Sequence, residues 1–243
     1  MIVVRSVLTY IWIGSFMVLG LPLRWYYKQI QKKDMEKGAL KLHRVVQWYS
    51  RGILRLSGMK VEVKGKENIP ADGAVLFVGN HQSLLDIVVV VSAIDRPFGF
   101  LAKAELSKIP LVNSWILALR SVFIERGETR KGLEAIINSA KVVKTGHGMM
   151  VYPEGTRTRD GSSGVFKAGS MKIASKGGAC IVPVAIDGAY EAMPPGKIWF
   201  YGRTIYLTIL PPISAEEVKT IDSTHMAERV RGEIEGCMTK HFR

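Results

Sequence analysis

Beyond Gly58 the apolar residues fall into short runs bounded by polar, glycine-containing turns, and these runs alternate with longer stretches at helical spacing. Val61–Lys64, Ala74–Gly79, Phe98–Ala102, Val122–Glu125, Gly148–Tyr152, Ala179–Ala185 and Ile205–Leu210 have the length and β-branched content of strands. Ser83–Ala93, Leu111–Leu119, Thr129–Thr145 and Ala168–Lys176 read as helices between them, and a terminal helix runs from Thr224 to about Lys240. Lys197-Ile198-Trp199-Phe200 offers a further short strand or hairpin arm. The alternation predicts an α/β domain over residues 58–243, with a largely parallel or mixed sheet of about seven strands flanked by helices.

Residues 1–57 follow a different pattern and are expected to form an N-terminal two-helix membrane-binding extension. Ser6–Leu23 carries no charge. Its 18 residues, at roughly 1.5 Å each, would extend about 27 Å, just short of a hydrocarbon core of about 30 Å. The Leu19–Leu23 stretch is a poor cleavage site, which disfavours a signal peptide. Arg24, Trp25, Tyr26, Tyr27 and Lys28 follow with the composition of an interfacial anchor. If the helix spans, Arg24, Lys28, Lys32 and Lys33 place the following chain on the cytoplasmic side, and the expectation is insertion into the cytoplasmic leaflet without full spanning. From Gly38 to Ser57, Leu42, Val45, Val46, Tyr49, Ile53 and Leu56 share one helical face, while Lys41, Arg44, Arg51 and Arg55 recur on another with Trp48. That is the pattern of a helix laid on an anionic bilayer or, alternatively, of a helix packed on the domain with a solvated basic side.

The 243-residue chain has 34 basic and 21 acidic residues, for a net charge of +13, and so should attract phosphate-bearing partners. Cys180 and Cys237 lie far apart, and the five histidines have no metal-ligand spacing, so neither a disulfide framework nor a metal site is expected. The sequence contains no GxSxG elbow and no GxxxxGK[ST] loop, which removes serine hydrolases and P-loop enzymes.

Chemistry concentrates where predicted strands end. Asn80-His81-Gln82-Ser83-Leu84-Leu85-Asp86 joins the second strand to an apolar helix. In a continuous helix His81 and Asp86 would be about 140° apart, so the histidine must precede the helix for the two to meet. A carboxylate orienting an imidazole leaves the other ring nitrogen able to take a proton from an alcohol. A capping cluster is the alternative use of the same residues. Tyr152-Pro153-Glu154-Gly155-Thr156-Arg157-Thr158 follows another strand and suits an oxyanion, and Arg126 ends a third, so a parallel sheet would gather His81, Arg126 and Arg157 at one edge.

These segments resemble the glycerolipid acyltransferase family. Four blocks occur in the family's order: Asn80–Asp86; Lys103–Pro110 leading to Phe123-Ile124-Glu125-Arg126; Pro153–Arg157; and Ile181-Val182-Pro183-Val184. The resemblance implies that His81 deprotonates the sn-2 hydroxyl of a lysophosphatidate-like acceptor, that Asp86 orients His81, and that the oxygen attacks an acyl thioester with no acyl-enzyme. It further implies that Arg126, Glu154, Gly155, Thr156 and Arg157 hold the acceptor phosphate and that Pro183 shapes the donor side. Lys103 and Lys167 are added as phosphate candidates by charge and position. No cofactor is implied beyond the co-substrate, acyl-coenzyme A or acyl-carrier protein. The expected partners are a lysophospholipid and an anionic membrane surface at the cytoplasmic face of the cell membrane, and no nucleic acid. Asn113 and Arg120 stand where many members carry glycine, which bears on the acyl-chain pocket more than on the chemistry. Rival readings are an acyltransferase acting on glycerol 3-phosphate or another lysophospholipid, and a non-catalytic basic membrane-binding protein.

Overall fold

The computed structural model describes residues 1–125, 127, 129–158 and 160–238. All seven predicted runs are strands: β1 (Lys60–Lys64), β2 (Val75–Gly79), β3 (Phe98–Lys103), β4 (Val122–Ile124), β5 (Gly148–Val151), β6 (Cys180–Asp187) and β7 (Thr204–Ile209). They form one sheet in the order β1-β7-β6-β2-β5-β3-β4. β6, β2, β5, β3 and β4 are parallel, β7 runs against β6, and β1 runs with β7. The sheet is therefore mixed, and the five parallel strands present their C-terminal ends at one edge. β2 and β5 are buried at every residue, as continuous apolar strands must be when both faces are covered. The pleat divides β2 between two cores: Val75 and Phe77 pack with Val89, Val90 and Ile186, whereas Leu76 and Val78 pack with Ile173, Val230 and Ile234.

Predicted helical stretches correspond to α4 (Leu85–Ala93), α5 (Val112–Ala118), α6 (Thr129–Lys144), α7 (Lys172–Gly177) and α10 (Ser223–Met238), the last two reaching one residue beyond the predicted bounds. The predicted end of the last helix, beyond Met238, lies outside the described residues. Two short helices, α8 (Ala189–Ala192) and α9 (Ala215–Thr220), had no periodic signal. Lys197–Phe200 is a loop rather than a strand. Its polar backbone groups are engaged by the N-terminal segment, with Phe200 N donating to Ser6 Oγ and Tyr10 Oη donating to the Ile198 carbonyl.

Both predicted N-terminal segments are helical, and a further helix joins them: α1 (Ile2–Leu19), α2 (Leu21–Lys33) and α3 (Met35–Ser57). α1 and α2 meet at Gly20, and Pro22 is accommodated in the first turn of α2, where a missing N–H has no helical partner to lose. Asp34 caps α3 by accepting from Lys37 N at 2.9 Å, and Gly58, at φ 74°, ends it in the left-handed conformation. The apolar face of α3 does not lie along a membrane surface as one reading of the sequence had it. Leu42, Tyr49 and Ile53 are at most 5% exposed, packed within the protein, and both His43 Nε2 and Gln47 Nε2 bond the Ile94 carbonyl. Helical periodicity identifies an apolar face but not what covers it. Lys41, Arg44, Trp48, Arg51 and Arg55 are the exposed side of α3.

α1 has the reverse arrangement. Ser6 and Thr9 are fully buried against the protein, whereas Ile2, Val3, Val4, Val7, Leu8, Ile11, Val18 and Leu19 are 42–76% exposed. This outward apolar face is the converse of a helix folded for water.

His147, just before β5, donates from Nε2 to the Leu119 carbonyl at 3.2 Å, and burial together with nearby Arg120 lowers its pKa to about 3. Its ordinary value is 6.5, so the unfolded chain takes up the proton first as pH falls. Stability from this group is complete above about pH 6.5 and declines towards pH 3, by roughly 1.4 kcal/mol per pH unit. Buried His43 shifts in the same direction. Thermal melts from pH 7.5 to 5 should show a falling transition temperature, with a visibly shallower fall for His147→Gln. An unchanged slope would assign the acid sensitivity elsewhere.

Candidate active site

The chain leaves β2 at Gly79 and crosses the sheet edge through residues 80–84 before α4 begins at Leu85. Three buried side chains hold this crossing in place. Asn80 pairs with both backbone groups of Ile186, at 2.8 Å each, so the loop is tied to the end of β6. Gln82 donates to the Gly161 carbonyl and accepts from Ala189 N and Tyr190 N. Ser83 Oγ donates to the Met193 carbonyl at 3.0 Å.

His81 precedes the helix and Asp86 occupies its first turn, which brings the two together. His81 Nδ1 lies 2.7 Å from Asp86 Oδ2, and the same oxygen accepts from Gln82 N (2.7 Å) and Ser83 N (2.9 Å). A carboxylate can only accept, so the Nδ1–H tautomer faces it and Nε2 keeps its lone pair. Nε2 makes no hydrogen bond among the described residues, and the imidazole side chain remains 14% exposed. Asp86 is fully buried. The catalytic and capping readings of this segment therefore coincide: one carboxylate oxygen orients the ring and also collects the amides that open α4.

Tyr152, at the end of β5, stacks on the imidazole, with ring centroids 4.3 Å apart and an interplanar angle of 15°. Burial, with the Asp86 carboxylate nearby, pushes its phenol well above its ordinary range. The ring fixes one face of His81 while Asp86 fixes its edge. Sequence reasoning passed over Tyr152, Asn80, Gln82 and Ser83 as site-building residues. For Asn80 and Gln82 the available signal was an amide immediately after a wholly apolar strand, where a buried side chain must find backbone partners.

The other candidates divide. Glu154 is 7% exposed, and its carboxylate is occupied: Oε1 accepts from His81 N at 2.8 Å and Oε2 from Gly164 N at 3.1 Å. Burial raises its pKa, and the two amides act against that rise. Glu154 joins the loop after β2 to the loop after β5, while Thr158 N donates to the His81 carbonyl at 2.9 Å. Gly155 turns the chain at φ 74°, a backbone region that favours glycine. Thr156 and Arg157 are exposed beyond that turn, and Thr156 Oγ1 donates to the Arg157 carbonyl. Lys103, at the end of β3, is exposed and paired with Glu105 at 2.9 Å, and Lys167 is exposed beyond the β5 loop. Pro183 is buried inside β6, in register with Val78, below the edge that carries His81. Arg126 lies outside the described residues, although β4, which precedes it, ends at the same sheet edge.

Among the described residues no group of histidines, cysteines or carboxylates has the arrangement of a metal site. The constellation is an imidazole held by an acid, with arginine and backbone amides on the adjoining loop. Such a pair can take a proton from a hydroxyl, and an exposed arginine nearby can face an anion.

Comparison with known proteins agrees with this geometry. Residues 60–187 match the model of the family described as Acyltransferase. A relative named 1-acyl-sn-glycerol-3-phosphate acyltransferase, from Borreliella burgdorferi, is 32% identical over 181 residues, covering 74% of this chain and 72% of its own length. The Ovis aries protein named 1-acyl-sn-glycerol-3-phosphate acyltransferase alpha is 27% identical over 223 residues, covering 90% and 74%. The crystal structure of the 1-acyl-sn-glycerophosphate acyltransferase from Thermotoga maritima superposes with a TM-score of 0.79 at 28% identity, covering 96% of this chain and 95% of that one.

Proposed function

The chain belongs to the acyltransferase family, and from that premise we propose that it transfers a fatty acyl group from an acyl thioester to the sn-2 hydroxyl of lysophosphatidic acid, giving phosphatidic acid for phospholipid synthesis. The observation that carries the chemistry is the His81–Asp86 pair at 2.7 Å with Nε2 left free. In this reading Nε2 takes the hydroxyl proton as the oxygen attacks the thioester carbonyl. The new C–O bond forms, the C–S bond breaks, and the protonated imidazole returns its proton to the departing thiolate. The donor is acyl-coenzyme A or acyl-carrier protein, and the reaction needs no other cofactor.

Arg157, exposed beyond the Gly155 turn, makes no ion pair among the described residues, which suits it to the acceptor phosphate. Arg126 has the same role in this reading. Removing one charge-assisted bond costs about 1.5–3 kcal/mol, roughly ten- to a hundredfold in kcat/KM. Arg157→Ala should lose that factor on lysophosphatidate and little on monoacylglycerol, which has no phosphate. Equal losses on both acceptors would make Arg157 structural. Wild-type acylation of lysophosphatidate, glycerol 3-phosphate and other lysophospholipids, followed by product mass, tests the acceptor itself. A preference for either of the latter would overturn the assignment.

Membrane attachment through residues 1–57 is supported by the outward apolar face of α1, and a cytoplasmic side for the unit from residue 58 onward by the basic residues Arg24, Lys28, Lys32 and Lys33 that follow it. α1 is the candidate helix for crossing or entering a bilayer among the described residues, with a mean hydropathy of 1.8 over 18 residues. The basic flank of α2 and α3 would then meet anionic headgroups.

A further inference from the structure

α1 passes into α2 at Gly20, whose backbone keeps a right-handed helical conformation (φ −77°, ψ −8°). The α1–α2 arm and α3 enclose a cleft of about 640 Å³, a size within the range of small-molecule sites. Its wall is apolar and aromatic, including Trp12, Phe16, Leu23, Tyr27, Val45 and Tyr49. Stacking stiffens it: Phe16 and Tyr49 have centroids 3.8 Å apart and Trp12 and Tyr49 5.5 Å apart. Lys41 and Arg44 also line the cleft, one helical turn apart on the exposed side of α3. Neither makes an ion pair among the described residues, and no carboxylate is among the residues lining the cleft. By contrast Arg51, two turns further along α3, is paired with Asp95. Trp48 is 62% exposed and Leu19 76% exposed, so the mouth leaves large apolar surface uncovered in water.

We propose that this cleft binds one anionic glycerophospholipid of the bilayer, an acyl chain lying among Trp12, Phe16 and Leu23 and the phosphate held between Lys41 and Arg44. A flat contact with headgroups would use the same cations but would not need a concavity. Two unpaired cations over an apolar wall match a ligand with one negative phosphate and a hydrocarbon tail. The zwitterionic lipids carry a cation beside that phosphate and would meet like charge. The site does not depend on the acyltransferase reading, since none of its residues belongs to the His81 edge.

The test uses the full chain in neutral detergent micelles, titrated with phosphatidylglycerol carrying brominated acyl chains, with quenching of tryptophan fluorescence as the readout. Saturable quenching is expected, at least tenfold weaker for brominated phosphatidylcholine. Lys41→Gln with Arg44→Gln should weaken it tenfold or more. Lys32→Gln with Lys33→Gln removes the same charge from the exposed last turn of α2 and should change it less than twofold. Val45→Phe, which fills the cleft, should abolish the saturable phase with the melting temperature of the protein kept. Non-saturating quenching, equal effects of the two charge pairs, or equal response to both lipids would reduce the cleft to a surface effect and overturn the proposal. So would a doubled mass in light scattering that Val45→Phe returns to the monomer, which would show a second copy seated there.

Discussion

Changing His81 to alanine should lower kcat/KM for lysophosphatidate about a hundred- to ten-thousandfold, the usual contribution of a positioned base. The fold should survive, because the side chain makes one hydrogen bond, to Asp86, and one stacking contact, to Tyr152. The loop is held instead by Asn80, Gln82 and Ser83 and by the His81 backbone, whose N–H reaches Glu154. Asp86→Asn is a sharper second variant. An amide that places its oxygen at the Oδ2 position can still accept from Gln82 N, Ser83 N and the imidazole, but it lacks the negative charge that stabilises an imidazolium. It should lose turnover on the scale of His81→Ala, because the charge that supports the imidazole as it takes up the proton is gone while the loop keeps its acceptor. The assay is the mass of phosphatidate formed at matched protein incorporation. Near-wild-type turnover by His81→Ala would remove the proposed base, and an acyl-enzyme trapped in a single turnover would replace direct attack by a covalent route.

Much of the scaffold was legible because it is written in local periodicity. Apolar runs such as Val75–Val78 and Gly148–Val151 specify buried strands by themselves. The antiparallel placement of β7 against β6 was not, since it depends on which chain segment reaches that sheet position and not on the sequence Thr204–Ile209. The meeting of His81 and Asp86 could be argued from a turn followed by a helix. The same argument could not say that Asp86 also collects two loop amides. α3 shows the limit most plainly: residues 42–56 gave the correct apolar face, but its cover is protein rather than lipid. Arg120 is a different case. It adopts φ 59° and lies where the Gly99 backbone approaches so closely that an added Cβ would meet the Arg120 carbonyl oxygen at 2.8 Å. That backbone region favours glycine, and the Arg120 side chain reaches Thr145 Oγ1 at 3.1 Å.

Glu154 is where sequence and geometry part most, and its substitution should separate them. Within Pro153–Arg157 an acidic residue beside glycine, threonine and arginine reads as part of a phosphate cradle. A carboxylate facing a phosphate would repel it, and here both oxygens are already bonded to amides of two loops. Glu154→Ala leaves His81 N and Gly164 N without their acceptor, at a cost of about 1–3 kcal/mol for each buried group. It also frees the loop that carries the base to shift by the fraction of an ångström that proton transfer does not tolerate. The expected result is a loss of about a hundredfold or more in kcat, equal on lysophosphatidate and monoacylglycerol, with a lower melting temperature. Glu154→Gln should fall between, since one of its two positions becomes a donor facing an N–H. Gly164→Ala offers an independent approach from the other side, because its Cβ would lie 2.9 Å from Glu154 Oε2 and push the carboxylate off its amides. All three variants should keep the wild-type ratio between the two acceptors, whereas Arg157→Ala changes it. If Glu154→Gln instead alters that ratio while melting like the wild type, Glu154 touches the acceptor and its bonds to the two loops are incidental to the reaction.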